Sequence, residues 1–419
     1  MLKFIFSLFI LLLNVSFAFA SVEKTIALDD GSELYVSHYR AKGTKLVIWL
    51  APEAGLQPSE QDAAQKLSER GVEVWYPDLF EANFLPVATS SMDKIPAEQI
   101  SGLVNAASKT TKQVYVLTSG RGVIPALRGI RAWQIDNPGN DSLRGLILLS
   151  PKFFLETPDP GQAAEIMPIV NVTNLPIFIM QPNQSPWWWK LDKTIPALEK
   201  GGSDVFIRVF SGVRDRFNYR PDATSVEENL AKQLPTFIVQ AMGLVSTQKP
   251  KREPVFLQQP LEKKTASAKK SRELKVFSGD PTPPPLILKN LFDQKRDLRD
   301  YKGKVVLINF WASWCPPCVH EMPSMQRLSE KLKDKPFEIL AVNMAEDKQV
   351  IKQFVRDIIH VDFPILLDSD GEVLKNWGVF AFPTTYVIGK QGNIRYALFG
   401  SREWDEDDVL RILNTLIDE

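Results

Sequence analysis

The chain reads as an α/β protein in two domains joined by a flexible linker, and three observations predict this. Apolar, strand-like runs alternate with helix-like stretches from about residue 45 to 241. The composition then shifts over 246–275 to Lys, Gln, Pro, Ser and Ala, with nine Lys or Arg against three Glu. Beyond it, a β-rich apolar run at 305–310 leads directly into the two cysteines of the chain, Cys315 and Cys318, at the start of an expected helix. Alternation of this kind implies a mainly parallel sheet covered on both faces. At 419 residues and 44% hydrophobic content, there is material for two or three cores. A formal net charge of zero gives no general attraction to nucleic acid, and no nucleic-acid partner is expected.

Residues 1–20 read as a secretory signal peptide. Lys3 supplies the basic start, 4–15 the apolar core, and Ala18-Phe19-Ala20 an A-x-A cleavage site before Ser21. Left uncleaved, the same segment would anchor the chain to a membrane. The expected destination is outside the cytoplasm, the periplasm or the periplasmic face of the inner membrane in a Gram-negative cell. Disulfides persist there, yet no cysteine is left over for a structural bridge.

The first domain, 22–245, opens with strands at 25–28 and 34–38 around Asp30-Gly31, a hairpin turn signal. Strands then follow at 45–50, 72–76, 114–118, 143–149, 177–180 and 205–210. Helices are expected at 59–70, with Ser59 as N-cap and Gly71 at the end, and at 96–109, 122–133 and 225–241. A hairpin followed by alternating units resembles the α/β-hydrolase fold. That family places its nucleophile in a G-x-S-x-G elbow after the strand here at 114–118. This chain has Thr118-Ser119-Gly120-Arg121-Gly122, with glycine where the serine belongs, and a glycine has nothing to attack with. The acid position offers only amides at 181–185, the single histidine of the domain, His38, lies near its start, and Asp215 falls about where the catalytic histidine would be. The domain is read as a hydrolase-like scaffold without hydrolase chemistry, a pseudoenzyme, with Ser119 an ordinary turn serine.

Two features of this domain stay open. Trp187-Trp188-Trp189 cannot all face one core, so at least one ring is expected at the surface or beneath a lid, the other domain or a partner. Arg214, Arg216 and Arg220 form either a solvated basic face or an anion site. The linker, 246–275, lacks apolar periodicity and reads as a mobile basic tether, after which the proline-rich stretch 281–285 leads stiffly into the second domain, 276–419.

A strand that delivers a CxxC to a helix N-terminus is a redox arrangement. The unpaired amides and positive dipole end favour a thiolate on Cys315, and Cys318, one turn on, is placed to resolve a mixed disulfide. Structural zinc would need four ligands, and one CxxC supplies two. No metal or cofactor is expected.

The motif Trp311-Ala312-Ser313-Trp314-Cys315-Pro316-Pro317-Cys318, with Glu321, Pro323, an expected strand at 337–343 and Phe382-Pro383-Thr384-Thr385, resembles the TlpA/ResA-like branch of the thioredoxin superfamily. The resemblance spans about 140 residues, essentially the whole second domain. It implies a thioredoxin-like fold in which Cys315 is an exposed attacking thiol and Cys318 a buried resolving thiol. It also implies that Pro323 kinks the active-site helix and that Pro383 is the cis-proline facing the disulfide. Trp314, Phe382 and Pro383 would then receive an extended substrate segment. Where ordinary thioredoxin has a buried aspartate this chain has Asn309, so the proton-handling role passes to Glu321, whose alternative is a surface helix glutamate. An extra helix at 347–360, with Val350, Phe354 and Ile358 on one face, is expected between central strands. Further strands are expected at 363–367, 385–388 and 394–399 and a closing helix at 405–417, with His320 and His360 facing solvent.

The expected function is an exported thiol-disulfide oxidoreductase that reduces protein disulfides, as in cytochrome c maturation or disulfide repair. Its partners would be a disulfide-containing protein and a separate thiol donor such as a membrane thiol relay. The alternative is a scaffold whose first domain captures a partner while the CxxC senses redox state.

Overall fold

The computed structural model describes residues 21–155, 158–160, 162, 164–248, 253–255 and 273–419. The expected signal peptide, and most of the expected linker, lie outside them. Among the described residues no helix is long and apolar enough to cross a membrane.

The first eight strands are β1 (Val22–Ala27), β2 (Glu33–Tyr39), β3 (Lys45–Leu50), β4 (Val72–Pro77), β5 (Gln113–Ser119), β6 (Leu143–Leu149), β7 (Ile177–Gln184) and β8 (Val205–Arg214). They form one sheet in the order β1-β2-β4-β3-β5-β6-β7-β8, antiparallel at the β1-β2-β4 edge and parallel from β4 to β8. Every residue of β4 is buried, as are all but the first of β3 and β5, because helices cover both faces. The helices are α1 (Pro58–Glu69), the single turn α2 (Leu79–Ala82), α3 (Ala97–Ser108), α4 (Val123–Asp136), α5 (Leu191–Gly201) and α6 (Ser225–Val245). α1 packs with α6, and α3 with α4.

Three local expectations are corrected. α1 begins at Pro58, whose missing amide suits the first turn, so Gln57 and not Ser59 is the N-cap. α5 was not foreseen, since Pro196 and the preceding tryptophans read as loop; it closes on left-handed Gly202. The arginine run is ion-paired within the domain, with Arg214 and Arg220 largely covered and Arg216 exposed. Arg214 bonds Glu227 and Asp222, Arg220 bonds Asp222, and Arg216 reaches Glu53, so their charges are spent within the domain.

The second sheet is mixed, in the order β11-β10-β14-β13-β12-β15-β16-β9. Its strands are β9 (Lys275–Val276), β10 (Ile287–Asn290), β11 (Lys295–Asp297), β12 (Val305–Trp311), β13 (Phe337–Met344), β14 (Ile365–Asp368), β15 (Thr384–Ile388) and β16 (Ile394–Phe399). Helices α7 (Pro316–Lys331), α8 (Lys348–Phe354), α9 (Glu372–Asn376) and α10 (Asp407–Asp418) complete it. β12 sits centrally, parallel to β13 and antiparallel to β15, and is buried throughout. Two hydrophobic cores lie on the two sides of this sheet. One contains the α7 residues Met322, Met325 and Leu328, and the other Phe310, Trp377 and Tyr386.

The extra helix is present, but its expected face is wrong. α8 continues as a π-helical turn, Val355–Ile359, which shifts the periodicity. Ile351 and Ile359 are buried, whereas Val350 and Ile358 are 55% and 58% exposed. His320 and His360 are exposed.

Candidate active site

The sequence ends β12 at Trp311 and starts α7 with two prolines, which tolerate the first helical turn because its amides have no intrahelical acceptor. Cys315 is therefore the N-cap. Its sulfur accepts the Cys318 amide at 3.3 Å, so a backbone donor and the helix dipole both point at the atom that must carry negative charge. Cys315 and Cys318 are joined as a disulfide, S–S 2.06 Å. Cys318 is wholly buried, and Cys315 itself is only 6% exposed. In the disulfide Cys315 is thus not an exposed residue, because its sulfur is bonded to that of a buried neighbour. The accessible part of the motif is Pro316 and Pro317.

Pro383 follows a cis Phe382-Pro383 peptide bond. β12 and β15 are paired with Phe310 opposite Thr384, which carries Pro383 to the end of β12 from which the Cys315 loop departs. Trp314 and Phe382 meet edge to face with centroids 5.8 Å apart, and both are half-buried. Pro323 lies inside α7.

Glu321 is fully buried, which excludes a surface role. It lies one turn beyond Cys318 on the same helix. Burial pushes its carboxyl up to about 8, against hydrogen bonds from Trp404 Nε1 (3.0 Å), Asn309 Nδ2 (2.8 Å) and the Arg402 amide (3.4 Å). A carboxyl poised near neutrality behind a buried thiol is suited to passing a proton to and from it. Asn309 also donates to Thr385 Oγ1 at 3.0 Å, tying the carboxyl to the β15 side of the site.

Glu346 was not foreseen. It accepts the Ser313 amide at 2.7 Å, the Ser313 hydroxyl, and Asn343 Nδ2 at 2.8 Å, and so fixes the loop two residues ahead of Cys315. Burial raises this carboxyl too. A glutamate just past the end of a buried strand was the available signal.

The expected elbow of the first domain contrasts with this. Gly120 has φ +54°, and a Cβ there would come within 2.4 Å of Glu53 Oε2. Glu53 instead accepts the Arg121 amide (2.8 Å), Lys152 Nζ (2.5 Å) and Arg216 (3.2 Å). Burial alone would raise its carboxyl, but Lys152 and the amide bring it down to about 2. Ser119 is buried at 3.4 Å from Glu60 Oε1, and His38, on β2 between β1 and β4, pairs with Glu73 at 2.8 Å. The structure brings no imidazole to Ser119, since the only histidine of this domain is committed elsewhere.

Residues 279–397 match the AhpC/TSA family. The chain is 37% identical over 132 residues to the thiol-disulfide oxidoreductase ResA of Bacillus cereus, covering 32% of this chain and 75% of that protein. It is 36% identical over 135 residues to ResA of Geobacillus kaustophilus, covering 32% and 76%. Among solved structures, the exposed lipoprotein thioredoxin of Streptococcus pneumoniae shares 28% identity with a TM-score of 0.28, covering 32% of this chain and all of that one. By its likeness to these relatives over three quarters of their length, and through its thioredoxin-like second domain, the chain belongs to the ResA family of thiol-disulfide oxidoreductases.

Proposed function

We propose that the protein is an exported reductase of protein disulfides, in which the second domain does the chemistry and the first is a hydrolase-like scaffold without catalysis. The observation that carries this is the Cys315–Cys318 pair at the N-terminus of α7 with the buried carboxyl of Glu321 one turn behind it. Cys315, as thiolate, attacks one sulfur of the partner disulfide. That bond breaks, a mixed disulfide forms, and the other partner sulfur leaves as a thiolate that takes a proton from solvent. Cys318 then passes its proton to the Glu321 carboxylate and attacks Cys315. The second partner thiolate leaves, and the enzyme is left as the disulfide. Two electrons have moved to the partner, and a separate thiol donor, such as a membrane thiol relay, returns them. In that return Glu321 gives its proton back to the departing Cys318 sulfur.

In this reading the substrate segment runs extended along Pro383, beside the mutually packed, half-buried rings of Trp314 and Phe382, with strand-type hydrogen bonds to the neighbouring backbone. The signal-like residues 1–20 support export, either cleaved or retained as an anchor. The antiparallel edge followed by parallel units supports the α/β-hydrolase likeness of the first domain, and Glu53 at the place of the missing nucleophile supports its silence.

The test is reduction of insulin by the full chain with dithiothreitol as donor. Wild-type protein is expected to accelerate it and Cys315→Ser to be inert. A Cys315→Ser variant that retained full activity would overturn the reading. Faster oxidation of a reduced protein than reduction of an oxidised one would reverse the direction.

A further inference from the structure

The loops that leave the C-terminal ends of β6 and β7, where open α/β sheets ordinarily take their ligands, hold the second domain instead. Phe154, after β6, and Trp187, after β7, both meet Phe380 edge to face, with centroids 5.2 and 5.3 Å away. Lys190 Nζ lies over the same ring at 5.2 Å. Phe154 and Phe380 are 3% and 4% exposed, yet among the described residues neither belongs to the core of its own domain. The two rings meet across the domains, with Trp187 stacked on Phe154 from its own side. Trp189 packs on the second domain as well. Its indole N–H donates to Met344 Sδ at 3.1 Å, and its ring lies so close over Gly371 that a Cβ there would fall within 2.3 Å.

These two contacts fall on the two arms of the redox site. Phe380 is two residues before Phe382 and three before Pro383, on the arm that receives substrate. Met344 is two residues before Glu346, which grips Ser313 on the arm that carries Cys315. The exposed Pro316 and Pro317 and the half-buried Ala381 and Phe382 show that the docked domain leaves the site open, so the contact is not a cover.

We propose that the first domain is the specificity element of the exchange reaction: through Phe154 and Trp187 it positions the Phe380–Pro383 arm for extended protein segments. This rests on the reductase reading above. Phe154 and Trp187 are positioning residues, since they act through Phe380. A protein disulfide depends on strand-type pairing along that arm, whereas a small aromatic disulfide needs only the sulfur of Cys315. Loosening the clamp therefore weakens recognition of one substrate and spares the other.

The experiment compares full-length Trp187→Ala, Phe154→Ala and Trp187→Phe, each as folded, fully reducible protein. Insulin turnover is measured with dithiothreitol, and a single turnover of the reduced enzyme is measured with 5,5′-dithiobis(2-nitrobenzoate). Both alanine variants are expected to raise KM for insulin about tenfold with kcat little changed, as for a displaced positioning group. Their single-turnover rate on the small disulfide stays at the wild-type value, and Trp187→Phe restores the insulin KM. Two results would overturn the proposal while the reductase reading stands: unchanged KM in both alanine variants, or a proportional fall on both substrates. Wild-type protein inert towards both disulfides would instead overturn the reductase reading, and this proposal with it.

Discussion

The chain contains the same turn twice, with opposite contents. In each domain a buried central strand, β5 or β12, runs into a helical turn one of whose early amides is taken by a side chain. At the first turn, which begins at Gly120, the carboxylate of Glu53 takes the Arg121 amide. At the second the sulfur of Cys315 takes the Cys318 amide. Each turn also has a buried glutamate with a raised pKa nearby, Glu60 at about 7 and Glu321 at about 8. In the proposed reading the difference lies in the side chain that takes the first amides, a carboxylate at the one turn and a cysteine sulfur at the other.

The largest expected effect follows from the N-cap atoms. Cys315→Ser should bring disulfide exchange to the uncatalysed level, and a fluorophosphonate should label neither this variant nor the wild-type first domain. Labelling at Ser119 would break the comparison from the other side.

Next come the buried glutamates. Glu321→Gln should slow resolution of the mixed disulfide about a hundredfold or more, as for loss of a general acid-base group, seen by acid-quenched mass analysis. Glu60→Gln, whose partners are Tyr76, Asn218 and Ser119, should leave exchange unchanged.

The two turns should also respond oppositely to pH. Burial holds Glu321 at about 8 in the folded protein against an ordinary 4.5, so its stabilising contribution is whole below 4.5 and is lost as pH rises to 8. The melting temperature of oxidised Glu321→Gln should therefore gain on wild type across that window and then level. Glu53 is held at about 2, so its contribution is present above 4.5 and is lost as pH falls towards 2. The deficit of Glu53→Gln should shrink as the solution is acidified. Parallel slopes would contradict the assignment.

The smallest effect concerns Gly120. Its backbone already has a left-handed φ, and a side chain would strike Glu53, so Gly120→Ser should cost about 1–3 kcal/mol in a denaturant melt and yield no esterase.

Legibility in the sequence followed the range of the interaction. β3, β6 and β16 stand where their apolar runs begin and end, because a buried strand is written in consecutive residues. Cys315, Cys318 and Glu321 were singled out by their spacing along one helix, Glu321 with the help of the family resemblance, and the structure places Glu321 buried one turn beyond Cys318. The inward face of α8 was misread from its first turn, where Ile351 and not Val350 is buried, and the π-helical turn that follows changes the period again before Ile358 and Ile359. α5 was hidden by Pro196 and by tryptophans that belong to an interface. The pairing of Phe154 and Trp187 with Phe380 depends on how two domains meet, and nothing local encodes it. The sequence expectation was that at least one of the three adjacent tryptophans lies at the surface or beneath a lid, the other domain or a partner; all three are half-buried, and Trp187 and Trp189 meet the second domain.

The central claim, that exchange starts at Cys315 and ends at Cys318, is tested most directly by trapping. Full-length Cys318→Ser, reduced and then mixed with an oxidised protein substrate, should accumulate a covalent adduct that mass spectrometry maps to Cys315, while Cys315→Ser should form none. An adduct formed equally by both variants, or by neither while wild type turns over, would contradict it.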